Sequence, residues 1–151
     1  MKIEDLVKPT TELPLEKRVL LSIMHTQNLL SEQFNEILKP FELSAEQFNV
    51  LRILRGQKGK PINMSCIQER MIARTSNTTR LVDKLLVKEF VNRETCSLNR
   101  RKIEITITEK GLKRLKQLDE LVEDFEKRVV SNLSTEEATA LVTLLEKTRK
   151  N

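Results

Sequence analysis

Apolar side chains recur at helical spacing over most of the chain and switch to strict alternation in one short stretch. Leu15, Val19, Ile23, Leu30, Phe34 and Leu38 predict a first long helix from near Pro14 to about Lys39, where Pro40 ends it. Ser44 and Gln47 fit a capping box flanked by Leu43 and Phe48 as a staple, so a second helix should start there. Its core face is Phe48, Leu51 and Leu54, and Gly56 to Gly59 breaks it. A very short strand at Pro61-Ile62 and a brief helix from about Asn63 to Met71 follow, with Ile67 and Met71 facing inward. After a turn at Arg74-Thr75-Ser76, a helix from about Ser76 to Glu89 buries Thr78, Leu81, Val82 and Leu85.

The period then drops to two. Ile103, Ile105 and Ile107 alternate with Lys102, Glu104 and Thr106, which predicts one buried and one solvated face. Phe90 to Cys96 and Lys102 to Ile107 are thus expected to pair as a hairpin, with Ser97-Leu98-Asn99-Arg100-Arg101 as its basic tip. From about Thr108 a long helix carries Leu115, Leu118, Val122, Phe125 and Val129 in steps of 3, 4, 3 and 4, a heptad-like seam. Ser134 and Glu137 form a second capping box before a last helix with Leu141, Leu144 and Leu145.

Composition narrows the class. A chain of 151 residues with 38% hydrophobic and 32% charged residues, only 3 Gly and 4 Pro, favours one helical domain over disorder or many short strands. Five Phe with neither Trp nor Tyr leave little for an aromatic stacking platform. No apolar run is long enough for a membrane span and none at the amino terminus resembles a signal peptide, so a cytoplasmic protein is expected. One His, no nucleophile elbow, no phosphate-binding glycine loop and no clustered metal ligands argue against an enzyme, and neither metal nor cofactor is expected.

The formal charge is +5, and the stretch from Arg74 to Lys110 holds nine Lys/Arg against five Asp/Glu, which is +4 of it. Such concentration suits a polyanionic partner. Helix, helix, helix, hairpin is the plan of a winged helix-turn-helix. On the Ser76–Glu89 helix, Asn77, Arg80, Lys84 and Lys88 lie opposite the apolar stripe, with Ser76 and Thr79 in the first turn. Small polar groups there admit a helix to the major groove, Arg and Asn can bond base edges, and lysines further along can meet phosphates. Asn99, Arg100, Arg101 and Lys102 give the hairpin a basic wing, suited to the strong negative potential of a narrow minor groove. The fold class is therefore mainly α with a small β-hairpin wing, and the partner expected is double-stranded DNA.

The same residues resemble the multiple-antibiotic-resistance regulator (MarR) family. Leu43-Ser44-Ala45-Glu46-Gln47-Phe48-Asn49-Val50-Leu51 is similar to the family's second helix, and Thr79-Arg80-Leu81-Val82-Asp83-Lys84-Leu85 to the body of its recognition helix. Asn99-Arg100-Arg101-Lys102-Ile103-Glu104-Ile105 resembles its wing signature, with Asn99 where the family usually has Asp, and Ile107-Thr108-Glu109-Lys110-Gly111 resembles the start of the following helix. The resemblance implies one domain over 1–151. Residues about 44–108 form the DNA-binding lobe, and long helices over about 14–40 and 109–150 dimerise. It implies a bacterial transcription factor acting as a homodimer on a near-palindromic operator, and the basic helix, basic wing and α-helical seam make repression by steric occlusion the leading expectation. Leu15, Val19, Leu118, Val122, Phe125, Val129, Leu141, Leu144 and Leu145 are the dimerisation candidates. Family members often release DNA on binding a small molecule, and Ile23, His25, Leu30, Phe34 and Phe48 are candidates for lining such a crevice.

Two other readings start from the same residues. Cys96 lies near the basic wing, where arginines could lower a thiol pKa and make a redox sensor, whereas Cys66 has no evident activating group. A protein-interaction adaptor that no longer binds DNA is the other.

Overall fold

The computed structural model describes residues 2–73, 77–96 and 99–150, with the backbone alone for residues 96 and 99–102. Helices α1 (Ile3–Val7), α2 (Leu15–Leu38), α3 (Ala45–Gly56), α4 (Met64–Arg70), α5 (Thr78–Val87), α6 (Glu109–Val129) and α7 (Thr135–Thr148) accompany a small antiparallel sheet, on which α3, α4 and α5 pack. Its strands are β1 (Ile62–Asn63), β2 (Val91–Cys96) and β3 (Asn99–Ile107), in the order β1-β3-β2. This is the winged helix-turn-helix plan expected from the sequence, with α4 and α5 as its helix pair and β2-β3 as its wing.

The two capping boxes form as their spacing predicts. Ser44 Oγ accepts from the Gln47 amide at 3.2 Å and the Ser44 amide donates to Gln47 Oε1 at 3.2 Å. At α7 the Glu137 amide donates to Ser134 Oγ at 3.2 Å and the Ser134 amide to Glu137 Oε2 at 2.8 Å. Each box satisfies two amides that helix geometry leaves without partners. Pro14 is the N-cap of α2 and lies just outside it, and a 3₁₀ turn at Lys39–Phe41 takes the chain around Pro40. The short α1, absent from the sequence reading, lies against α2, with Glu4 paired to Arg18 at 2.5 Å.

One core joins the end of α2 to the lobe. Leu38, Leu51, Leu54, Ile67, Val82, Leu85, Ile105, Leu115 and Leu118 are all fully buried in it. The heptad-like seam of α6 therefore serves this chain's own core. Leu118 and Phe125, two of the dimerisation candidates, are buried within the protomer instead, and Val122 is half-buried. The cause is position: α6 crosses α3 and α2 before it leaves the lobe, and Arg55 on α3 grips Asp119 on α6 at 2.8 and 3.1 Å.

The wing also departs from expectation. The strand β3 starts at Asn99, so Asn99, Arg100 and Arg101 belong to it and only Ser97-Leu98 link the strands. The register runs regularly from Val91↔Ile107 to Thr95↔Ile103, then slips to Cys96↔Asn99. Hydrogen bonding extends a hairpin through residues whose sequence shows no apolar alternation to reveal it. Ile103, expected to be buried, is 37% exposed. The strand β1 pairs only with Glu104 and Ile105, so the sheet beside Ile103 is two strands wide and stands clear of the core.

Candidate nucleic-acid interface

Helix α5 is sharply two-sided. Thr78, Val82 and Leu85 are buried, while Asn77, Thr79, Arg80, Asp83 and Lys84 are exposed. At 100° per residue, Arg80 and Lys84 stand almost opposite Val82, so they form the crest of the solvated face. The first turn of α5 contains no acidic residue, which leaves its positive end unopposed by side-chain charge. Asn77 occupies the N-cap position without making a side-chain cap bond, so its amide remains exposed. Ser76, expected in the first turn, lies outside the described residues, and the helix begins at Thr78.

Lys88 departs from the predicted stripe. It is the C-cap of α5, and its Nζ donates to the carbonyl of Glu42, which follows the 3₁₀ turn. This lysine ties the back end of the helix to the start of the lobe and does not extend the exposed row. In its place the exposed face ends in Val87, 85% exposed, an apolar residue that the search for charge passed over. Lys84 and Val87 border a shallow groove shared with Ser44, Gln47 and Leu81.

The wing is held to this helix by charge. Arg93 on β2 meets Asp83 on α5 at 3.1 Å, which neutralises the one carboxylate on the exposed face of α5. Sequence spacing alone did not pair them. The side chains of Asn99, Arg100, Arg101 and Lys102 lie outside the described residues, as does that of Cys96, while their backbone belongs to the two strands of the ribbon. Helix and ribbon together are the two elements that a winged domain offers to duplex DNA. Cys66 is half-buried on α4 with a free thiol.

Where α5 ends, the chain reverses tightly. Glu89 has φ +60°, Thr108 Oγ1 donates to the Glu89 carbonyl at 2.8 Å, and Lys110 Nζ meets Glu89 Oε2 at 2.6 Å. The Lys110 hydrogen bond first, and its charge second, hold the Glu89 carboxyl below its ordinary range. The pair is thus intact at neutral pH and is lost as pH falls through that lowered value.

Two of the proposed crevice residues meet within one protomer. Phe34 packs edge-on to Phe48 with ring centres 5.4 Å apart and lies 5.5 Å from Phe125, so these rings fill space. Leu30 and His25 are half-buried and Ile23 is exposed further back along α2. Among the described residues no group of His, Cys, Asp or Glu could hold a metal ion, and no helix is long and apolar enough to cross a membrane.

Comparison with known proteins agrees with this geometry. Residues 43–103 match the sequence model of the MarR family, which spans α3 to the middle of β3. The chain is 34% identical over 114 residues to YpoP of Bacillus subtilis, an uncharacterized HTH-type transcriptional regulator, covering 76% of this chain and 77% of that one. The crystal structure of a MarR transcription factor from Planctomyces limnophilus is 32% identical, covers 90% of this chain and 98% of its own, and superposes with a TM-score of 0.70. A cysteine mutant of MarR from E.coli, solved with operator DNA, is 26% identical with a TM-score of 0.79, over 92% of this chain and 99% of that one. The chain belongs to the MarR family and is a DNA-binding transcriptional regulator.

Proposed function

We propose that the protein is a homodimeric repressor that occupies a near-palindromic operator and blocks transcription sterically. The observation that carries the dimer is α7: none of its residues is buried, although Leu141, Leu144 and Leu145 project from it. Leu15 and Val19 on α2, and Val129 at the end of α6, are likewise exposed. Burial of one such aliphatic side chain is worth about 1.5–3 kcal/mol, so a face carrying several calls for a partner. A second copy supplies the same face in return, as two-fold symmetry requires. The two α5 helices then enter successive major grooves about 34–36 Å apart. A small-molecule effector belongs to this reading through α2, where Ile23, His25 and Leu30 would come under cover only in the dimer.

Light scattering at micromolar concentration should return twice the mass of one chain. In fluorescence anisotropy, the duplex upstream of the protein's own gene should bind more tightly than a scrambled one, with steep loss of affinity as salt rises. A monomer, or equal weak binding to both duplexes, would overturn the proposal.

A further inference from the structure

We infer that the groove between the start of α3 and the exposed side of α5 is a seat for one backbone phosphate of the duplex, with Gln47 Nε2 as its buried donor. The inference rests on α5 being the DNA-facing helix and holds for a monomer as well as for a dimer.

The groove is lined by Ser44 and Gln47 from the start of α3 and by Leu81, Lys84, Val87 and Lys88 from α5 and its C-cap. Two of these residues are cations and none carries a carboxylate. Glu46 stands in the same turn of α3 without lining the groove. Lys88 Nζ donates to the Glu42 carbonyl, which occupies one of its three hydrogens and holds the ammonium beside the groove. Lys84 is exposed, and its neighbour Asp83 is taken by Arg93.

Gln47 carries the inference. It is 5% exposed and only half of its amide is used: Oε1 accepts from the Ser44 amide at 3.2 Å, while Nε2 has no partner among the described residues. An amide nitrogen in so buried a side chain is costly to leave without an acceptor. The acceptor has to come from the groove that Gln47 lines.

The residue type points the same way. A capping box takes Glu or Gln at its last position, and a carboxylate also suits the positive end of a helix. The chain uses Glu137 in the box of α7 but Gln47 in the box of α3. Gln preserves the box, adds a donor where Glu would set a negative charge, and leaves the partial positive charge of α3 at the edge of the groove. An anion gains from both.

Position along α5 identifies the occupant. A helix that reads base edges with its amino-terminal residues meets the backbone further along its length. From Arg80 to Val87 the helix rises about 10.5 Å, and the major groove is about 8.5 Å deep. With Arg80 at the base edges, Lys84 and Val87 therefore stand at the height of the sugars and phosphates. Val87, 85% exposed, then meets the carbon face of a deoxyribose, and the phosphate beside it enters the groove between Lys84 and Gln47.

The test uses a duplex selected by the wild-type protein from a random-sequence library. Copies are made with a neutral methylphosphonate at one linkage at a time. Anisotropy is measured on each for the wild type, Gln47→Glu, Val87→Glu and Arg80→Ala, with circular dichroism on every protein. Gln47→Glu keeps an acceptor for the Ser44 amide, as Glu137 does for Ser134, so its helical spectrum should match the wild type. It should bind the unmodified duplex about tenfold or more weakly, because a carboxylate replaces a donor to phosphate. At one linkage per bound protomer, neutralisation should cost the wild type about fivefold or more and cost Gln47→Glu nothing, while the other linkages affect both proteins alike. Val87→Glu changes an exposed site at the lip of the groove and should lose sensitivity at the same linkage, so it decides the matter should Gln47→Glu fail to fold. Variants that bind like the wild type, or whose losses spread evenly over all linkages, would overturn the inference alone. An Arg80→Ala protein with undiminished affinity would overturn the DNA-facing reading of α5 and the inference with it.

Discussion

Arg80 and Lys84 stand one turn apart on the crest of α5, and their losses should have different signatures. Arg can meet a guanine edge with two hydrogen bonds, so Arg80→Ala should cost about 1–3 kcal/mol on the preferred duplex and relax the base preference at one position. Lys84 is a point charge suited to phosphate. Lys84→Ala should weaken binding to all duplexes alike and reduce the slope of log affinity against log salt by about 1. Titrations of each variant against the preferred and a scrambled duplex at several salt concentrations separate the two. Their place on the solvated face was legible in the sequence because the apolar stripe of Val82 and Leu85 fixes the opposite face by geometry alone. Lys88 was not, since its spacing continues the row while its ammonium reaches a carbonyl 46 residues earlier in the chain. The Asp83–Arg93 pair escaped for the same reason: periodicity orders residues along one element and says nothing about which elements meet.

Elements with a local signal were readable to within a residue or two. The boxes at Ser44 and Ser134 announce their helices because donor, acceptor and spacing lie within four residues. The extension of β3 to Asn99 carries no such signal, because its added residues are polar on both faces. The α6 seam shows a further limit. A heptad pattern reports that a helix has an apolar face without saying whether the neighbour belongs to the same chain. Stability measurements distinguish the two kinds of leucine. Leu118→Ala empties fully buried space and should lower unfolding free energy by about 2–5 kcal/mol. Leu144, 58% exposed, makes the opposite prediction: Leu144→Ala should leave the far-ultraviolet spectrum unchanged and raise the dimer dissociation constant. Urea titration of both variants, with sedimentation at a series of concentrations, checks the pair of outcomes.

At the scale of the molecule, the helices from α2 to α6 share one core, while α7 buries none of its residues. The core is gathered from α2 to α6, and α5 with the β2-β3 ribbon, which send Val82, Leu85, Val91 and Ile105 into it, carry +3 of the chain's +5. The order of elements was legible, and with it the DNA-binding class. The seating of α6 was not, because it includes the tight approach of Gly111 to Phe90, a contact 21 positions apart that leaves no trace in hydrophobic pattern. The bare face of α7 has a genetic consequence. A subunit damaged at Arg80 still presents Leu141, Leu144 and Leu145, so it should capture intact partners and remove them from their sites. Such alleles should be dominant when expressed beside the wild type, and a reporter under the operator should be derepressed in proportion to the damaged copy. Alleles that replace those leucines with charged residues should be recessive, because their products meet no one.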